Sequence, residues 1–215
     1  MTLAAFCLLI GAYPLMYLLA DGKIGLLQTK SDQLVNDAWW WRLGFYTHIV
    51  CGGVALSVGW SQFVKSWRER YLKWHRVIGK LYVLMVCVSG LAAIGISPQT
   101  STGWIAGLGF GSLGVIWVFV TLQAYKSIRQ RNVHRHQRMM VYSYSACFAA
   151  VTLRFWLPLL TGVIRLDFAV AYPIVAWLCW VPNLIVAYSI NSRSLTNAPE
   201  LLLRSPAVMG STDKS

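Results

Sequence analysis

KSWRERYLKWHR, residues 65–76, carries five Lys/Arg and a single acid, Glu69, and is flanked on both sides by apolar sequence. KSIRQRNVHRHQR, residues 126–138, repeats the pattern with five more and no acid, so the two stretches hold ten of the nineteen Lys/Arg in the chain. The apolar runs between and around them are about 20 residues long, the length that crosses a hydrocarbon core of about 30 Å. Short loops rich in Lys and Arg stay on the cytoplasmic side of a membrane. The pattern predicts an all-α integral membrane bundle with both basic stretches cytoplasmic.

Composition agrees. Hydrophobic residues make up 57% of the chain and charged residues 12%, too few to cover a soluble domain. A net charge of +12 in a soluble protein would point to nucleic acid. Here the excess lies beside membrane spans, so we expect the lipid bilayer as partner and no nucleic acid. The five cysteines all fall in apolar runs without CxxC spacing, which gives neither a disulfide framework nor a metal site.

Six spans are expected, at 2–20, 43–64, 81–96, 104–125, 139–160 and 168–190, together forming one domain over 1–190. Residues 191–215 read as a polar, flexible cytoplasmic tail. With both basic stretches inside, six crossings place the N-terminus and the C-terminus in the cytoplasm. Trp39, Trp40 and Trp41 suit the opposite headgroup boundary. Gly103, Gly107 and Gly111 recur every four residues, a small-residue stripe that either packs helices within the chain or forms a homodimer face.

The polar groups inside the spans are the candidate functional residues. Arg154 stands about 22 Å along the fifth span from its inner end, and no span offers it a carboxylate. It either snorkels to headgroups, Asp37 or Asp167, or binds an anionic or carbonyl group. His48 lies about 8 Å into the second span from the outer end, at matched depth. His48, Gly52, Ala55, Gly59 and Gln62 share one helical stripe, and His136, Met140, Ser143, Cys147, Ala150 and Arg154 share another. The Cα atoms of His48 and Arg154 should therefore fall within about 8–14 Å, given usual interaxial distances, in a site for a quinone or small anionic ligand. Asn183, beside Pro182, is either a ligand group or a repair of the proline break. His75 and His136, both at the basic end, are either interfacial histidines or the axial pair of one haem b.

Several of these residues sit in stretches that resemble a known family. HIVCGGVALSVGWSQF (48–63), HRVIGKLYV (75–83), FAAVTLRFWLPLL (148–160) and WLCWVPNLIVA (177–187) are similar to motifs of the bacterial membrane family called domain of unknown function 2306. The resemblance covers about 43–187. It brings His48, Gln62, His75, Gly79, Tyr82, His136, Arg154, Trp180, Pro182 and Asn183 onto motif positions. Met139 and Tyr142 stand where that pattern usually has Trp-Met and an Arg. The resemblance implies a multi-pass protein of the bacterial cytoplasmic (inner) membrane and no particular activity. Three expectations follow: a redox-associated protein binding haem b or a quinone, a transporter or small-molecule binder with Arg154 as counter-charge, and an accessory structural subunit.

Overall fold

The computed structural model describes the backbone of residues 2–19, 27–28 and 38–203, all of it helix or short turn. Among the described residues, ten α-helices follow one another: α1 (Thr2–Ala12), α2 (Pro14–Leu19), α3 (Trp39–Gly59), α4 (Lys65–Arg70), α5 (Leu72–Ile96), α6 (Trp104–Arg129), α7 (Val133–Cys147), α8 (Ala149–Pro158), α9 (Phe168–Leu178) and α10 (Val181–Leu203). Some join end to end. Counted as continuous rods, five are long and apolar enough to cross a bilayer, Trp39–Phe63, Leu72–Gln99, Trp104–Arg129, Val133–Val163 and Phe168–Arg193. The apolar helix Ala4–Tyr17 is shorter. This is an all-α membrane bundle.

The surface confirms the class. Leu84, Leu91, Phe119 and Ile185 are each more than half exposed on the outward faces of their helices. A soluble protein does not leave such a continuous apolar girdle to water; lipid tails cover it without cost.

Neither basic stretch is an open loop. The first is α4, a single break at Tyr71, and the opening turn of α5; the second is helix except for residues 130–132. Lys and Arg are good helix formers, and neither stretch contains the Gly or Pro needed to stop a helix, apart from the later Gly79. The helices therefore run past the apolar runs, with α5 starting nine residues before the expected 81. Arg131 takes a positive φ of 62° to turn the chain, and Asn132 caps α7 by accepting the Arg135 N–H at 3.0 Å. At the other end of the chain, the α10 backbone is helical as far as Leu203, past residue 191.

Three of the helix breaks fall at prolines. Tyr13 separates α1 from α2 before Pro14, Pro158 closes α8 into one π turn (Leu159–Val163), and Cys179–Trp180 interrupts the last span just before Pro182. Asn183 repairs that interruption. Its amide N–H groups reach the Cys179 carbonyl (2.9 Å), the Thr152 hydroxyl (3.2 Å) and the Ser145 carbonyl (3.3 Å).

Small residues set the close crossings. A Cβ on Gly53 would stand 2.5 Å from the Gly11 carbonyl oxygen, and one on Gly11 would overlap the Ser57 hydroxyl. The first helix is thereby laid directly on α3. It also enters the central core: Cys7 is fully buried and accepts a hydrogen bond from the Tyr144 hydroxyl at 3.1 Å. Gly107 and Gly111 face Ser97 of the same chain, at 2.8 Å from its carbonyl and 2.9 Å from its hydroxyl for an added Cβ. That is the within-chain use of the stripe. Gly103 takes φ 90° ahead of α6 and meets nothing.

Candidate functional site

Polar groups collect at two levels of the bundle. His48 and Gln62 share one helical rod, fourteen residues apart, so about 21 Å separates them at 1.5 Å per residue. One small ligand cannot span both. Gln62 belongs with His75 at the basic end, and His48 with Arg154 toward the other end.

At the Arg154 level, His48 is fixed from α5. Its Nδ1 lies 3.1 Å from the Ser89 carbonyl and 3.0 Å from the Ser89 hydroxyl oxygen. The Ser89 hydroxyl donates its only hydrogen to the His48 carbonyl at 2.9 Å. A carbonyl accepts and never donates, so Nδ1 must carry the ring proton. Nε2 is then the unprotonated nitrogen, an acceptor with no hydrogen bond among the described residues. Gly52 leaves room for this lock, since a Cβ there would sit 3.1 Å from the Ser89 hydroxyl.

Arg154 is half-buried on α8. Nη1 donates to the Ala150 carbonyl one turn back at 2.8 Å, and the guanidinium carbon lies 4.5 Å over the Tyr13 ring. The buried Nε has no hydrogen-bond acceptor. The Arg154 charge reaches the His48 ring electrostatically, which puts the two side chains in one neighbourhood. Tyr13 continues into an aromatic stack with Tyr17 (5.6 Å) and Phe45 (5.5 Å from Tyr17). Asp167 does not pair with the arginine; its carboxylate caps α9 by accepting the Ala169 N–H at 2.8 Å. Asp37 lies outside the described residues. Among the described residues, Arg154 therefore presents donors without a partner beside a histidine acceptor without one.

At the basic end, Gln62 is 7% exposed and lines a small cleft with Arg68 and His75. The cleft's free interior is about 10 Å³, close to the least that one water needs. His136 donates from Nδ1 to the Ala124 carbonyl at 2.9 Å. It is near enough to His75 for their charges to interact. A haem wedged on His75 would have to open this cleft widely, so the residues as arranged do not fit the macrocycle. Among the described residues no cluster of three His, Cys, Asp or Glu side chains could hold a metal ion.

The family described as "Predicted membrane protein (DUF2306)" matches residues 45–190. The chain belongs to this family. No curated protein and no solved structure matches it. The DUF2306 segment holds His48, Gln62, His75, His136, Arg154 and Asn183, while Tyr13 and Cys7 lie before it. The aromatic floor under Arg154 thus comes from a helix outside the family match. Sequence reading missed Tyr13 and Ser89. Ser89 carried a usable signal as the one hydroxyl in the middle of an otherwise apolar span; Tyr13 carried none beyond its place next to Pro14.

Proposed function

We propose that this DUF2306 protein binds a quinone head group between Arg154 and His48, as a redox-associated membrane protein. The observation that carries the reading is a half-buried guanidinium whose Nε has no acceptor, with no carboxylate beside it among the described residues. A quinone carbonyl supplies the acceptor that Arg154 lacks. In the reduced form, a ring hydroxyl supplies the donor that His48 Nε2 lacks. A simple carboxylate would satisfy the arginine and leave the histidine unused, so the pair of unmet groups favours the quinone and quinol couple over an anion carried by a transporter. The Tyr13, Tyr17 and Phe45 rings offer an apolar, aromatic wall to such a ligand arriving from the lipid. We further propose that the basic end faces the cytoplasm of a bacterium, with the Arg154 level nearer the outer leaflet.

The test is retention. Protein purified in mild detergent from quinone-replete bacterial membranes should carry quinone detectable by mass spectrometry of its organic extract. Arg154→Leu should carry about tenfold less or lower, because a hydrogen bond from a charged group contributes about 1.5–3 kcal/mol. Equal quinone in the two preparations, per mole of protein, sinks the proposal.

A further inference from the structure

The cleft at the basic end contains a polar atom that nothing in the quinone proposal uses. Gln62 is 7% exposed, and its side-chain oxygen is buried without a hydrogen-bond partner. The orientation of the amide is fixed by its neighbour. The Ser61 hydroxyl donates to the Val58 carbonyl at 2.7 Å, so toward Gln62 it can only accept, and it takes the Gln62 Nε2–H at 3.2 Å. The oxygen must therefore face away from Ser61, toward Gly79 on α5, where an added Cβ would stand 3.5 Å from it. A side chain larger than glycine at 79 would close over that oxygen.

The rim of the cleft is cationic and aromatic. Arg68 and His75 line it, both half-buried, and Lys65, Arg70, Lys73 and Arg76 lie within the same twelve residues. The one acid there, Glu69, is highly exposed and stands 3.9 Å from Lys65, so it does not neutralise Arg68. Trp67 and Trp74, 49% and 64% exposed, also line the cleft. Amphipathic rings of this kind settle at the level of lipid headgroups.

We propose that this cleft is a binding site for the headgroup of an anionic phospholipid that bears a free hydroxyl, of the phosphatidylglycerol kind. The phosphate diester sits against Arg68 and His75, and a glycerol hydroxyl donates to the Gln62 side-chain oxygen. Zwitterionic headgroups bring an ammonium into a field of five Lys/Arg; an anionic headgroup without a hydroxyl leaves the buried oxygen unsatisfied. The lipid tail lies along the exposed apolar faces of α3 and α5. This site stands about 21 Å from the quinone site along the helical rod and does not depend on it.

Native mass spectrometry of the full chain, freed from detergent after adding one lipid at a time, tests the two halves of the site separately. Wild-type protein should retain phosphatidylglycerol about fivefold or more over phosphatidylcholine, the effect of about one cation at a surface. It should also prefer phosphatidylglycerol by about fivefold over phosphatidylmethanol, which has the same charge and no hydroxyl, the effect of about one hydrogen bond. Arg68→Ala should remove the first preference, and Gln62→Met the second alone. Equal retention of phosphatidylglycerol and phosphatidylmethanol by the wild type overturns the assignment without any variant, so a poorly folding Gln62→Met does not rescue it. An Arg68→Ala protein with an unchanged preference over phosphatidylcholine overturns it as well. Displacement of the lipid by an equal concentration of soluble glycerol 1-phosphate would make this a site for a water-borne phosphate and overturn the lipid proposal.

Discussion

The Arg154 guanidinium carbon lies over the Tyr13 ring, 4.5 Å from its centroid, and joins α8 to the junction of α1 and α2. A cation over an aromatic face contributes about 0.5–2 kcal/mol, more as water is excluded. Tyr13→Leu should therefore lower the unfolding free energy in detergent by about 1 kcal/mol. Tyr13→Phe, which keeps the ring, should cost less than half of that. Phe and Leu equally damaging would show that the ring face is not what Arg154 needs.

Arg154→Lys should behave as a loss rather than a conservative change. The ammonium has no planar face to lay on Tyr13 and no fork with which to hold the Ala150 carbonyl and a ligand together. Quinone retention in Arg154→Lys should fall close to that of Arg154→Leu. Retention at the wild-type level in the lysine variant would reduce the site to a point charge.

His48 should exist as the Nδ1–H tautomer, set by Ser89. Nitrogen NMR of protein labelled at histidine reads this directly, as a protonated Nδ1 and an unprotonated Nε2. Ser89→Ala keeps the backbone carbonyl that holds Nδ1–H, so the tautomer should persist, while the lost hydroxyl hydrogen bond to the His48 carbonyl costs about 1 kcal/mol of stability. An Nε2–H tautomer in the wild type contradicts the acceptor role given to His48.

Asn183 separates structural from ligand-binding readings. Its amide bonds three groups of the chain itself across the Cys179–Trp180 break. Asn183→Leu should destabilise by about 1–3 kcal/mol, the cost of buried groups left unsatisfied. Quinone bound per folded molecule should stay the same. Thermal unfolding followed by quinone analysis of the surviving fraction measures both.

Two glycines replaced by alanine give opposite outcomes. Gly95 meets nothing within 4 Å, so Gly95→Ala should be neutral or stabilising by up to about 1 kcal/mol through helix propensity. Gly107→Ala drives a Cβ to 2.8 Å from the Ser97 carbonyl, and overpacking of that kind costs about 1–3 kcal/mol. Comparison of the two melting temperatures in one detergent checks the crossing of α5 and α6.

The membrane bundle was legible in the linear sequence because bilayer thickness imposes a fixed run length and Lys/Arg mark the run ends. Those constraints act along the chain, so no folding is needed to see them. Helical rise likewise converts residue counts to an expected depth for His48 and Arg154. Depth alone did not show which neighbour each side chain meets. Ser89 fixing the His48 ring and Tyr13 under Arg154 depend on which helices touch and how they are rotated. Rotation and adjacency come from packing at Gly11, Gly53, Gly107 and Gly111, whose partners are remote in sequence. Asn183 shows the same limit: its type permitted either role, and only the nearness of Ser145 and Thr152 assigned its hydrogens. The sequence alone determined the fold class, an all-α membrane bundle, because the length of apolar runs and the placement of charge are one-dimensional quantities. Tertiary structure decided the partners, because a hydrogen bond is made between groups that the chain brings together only by folding.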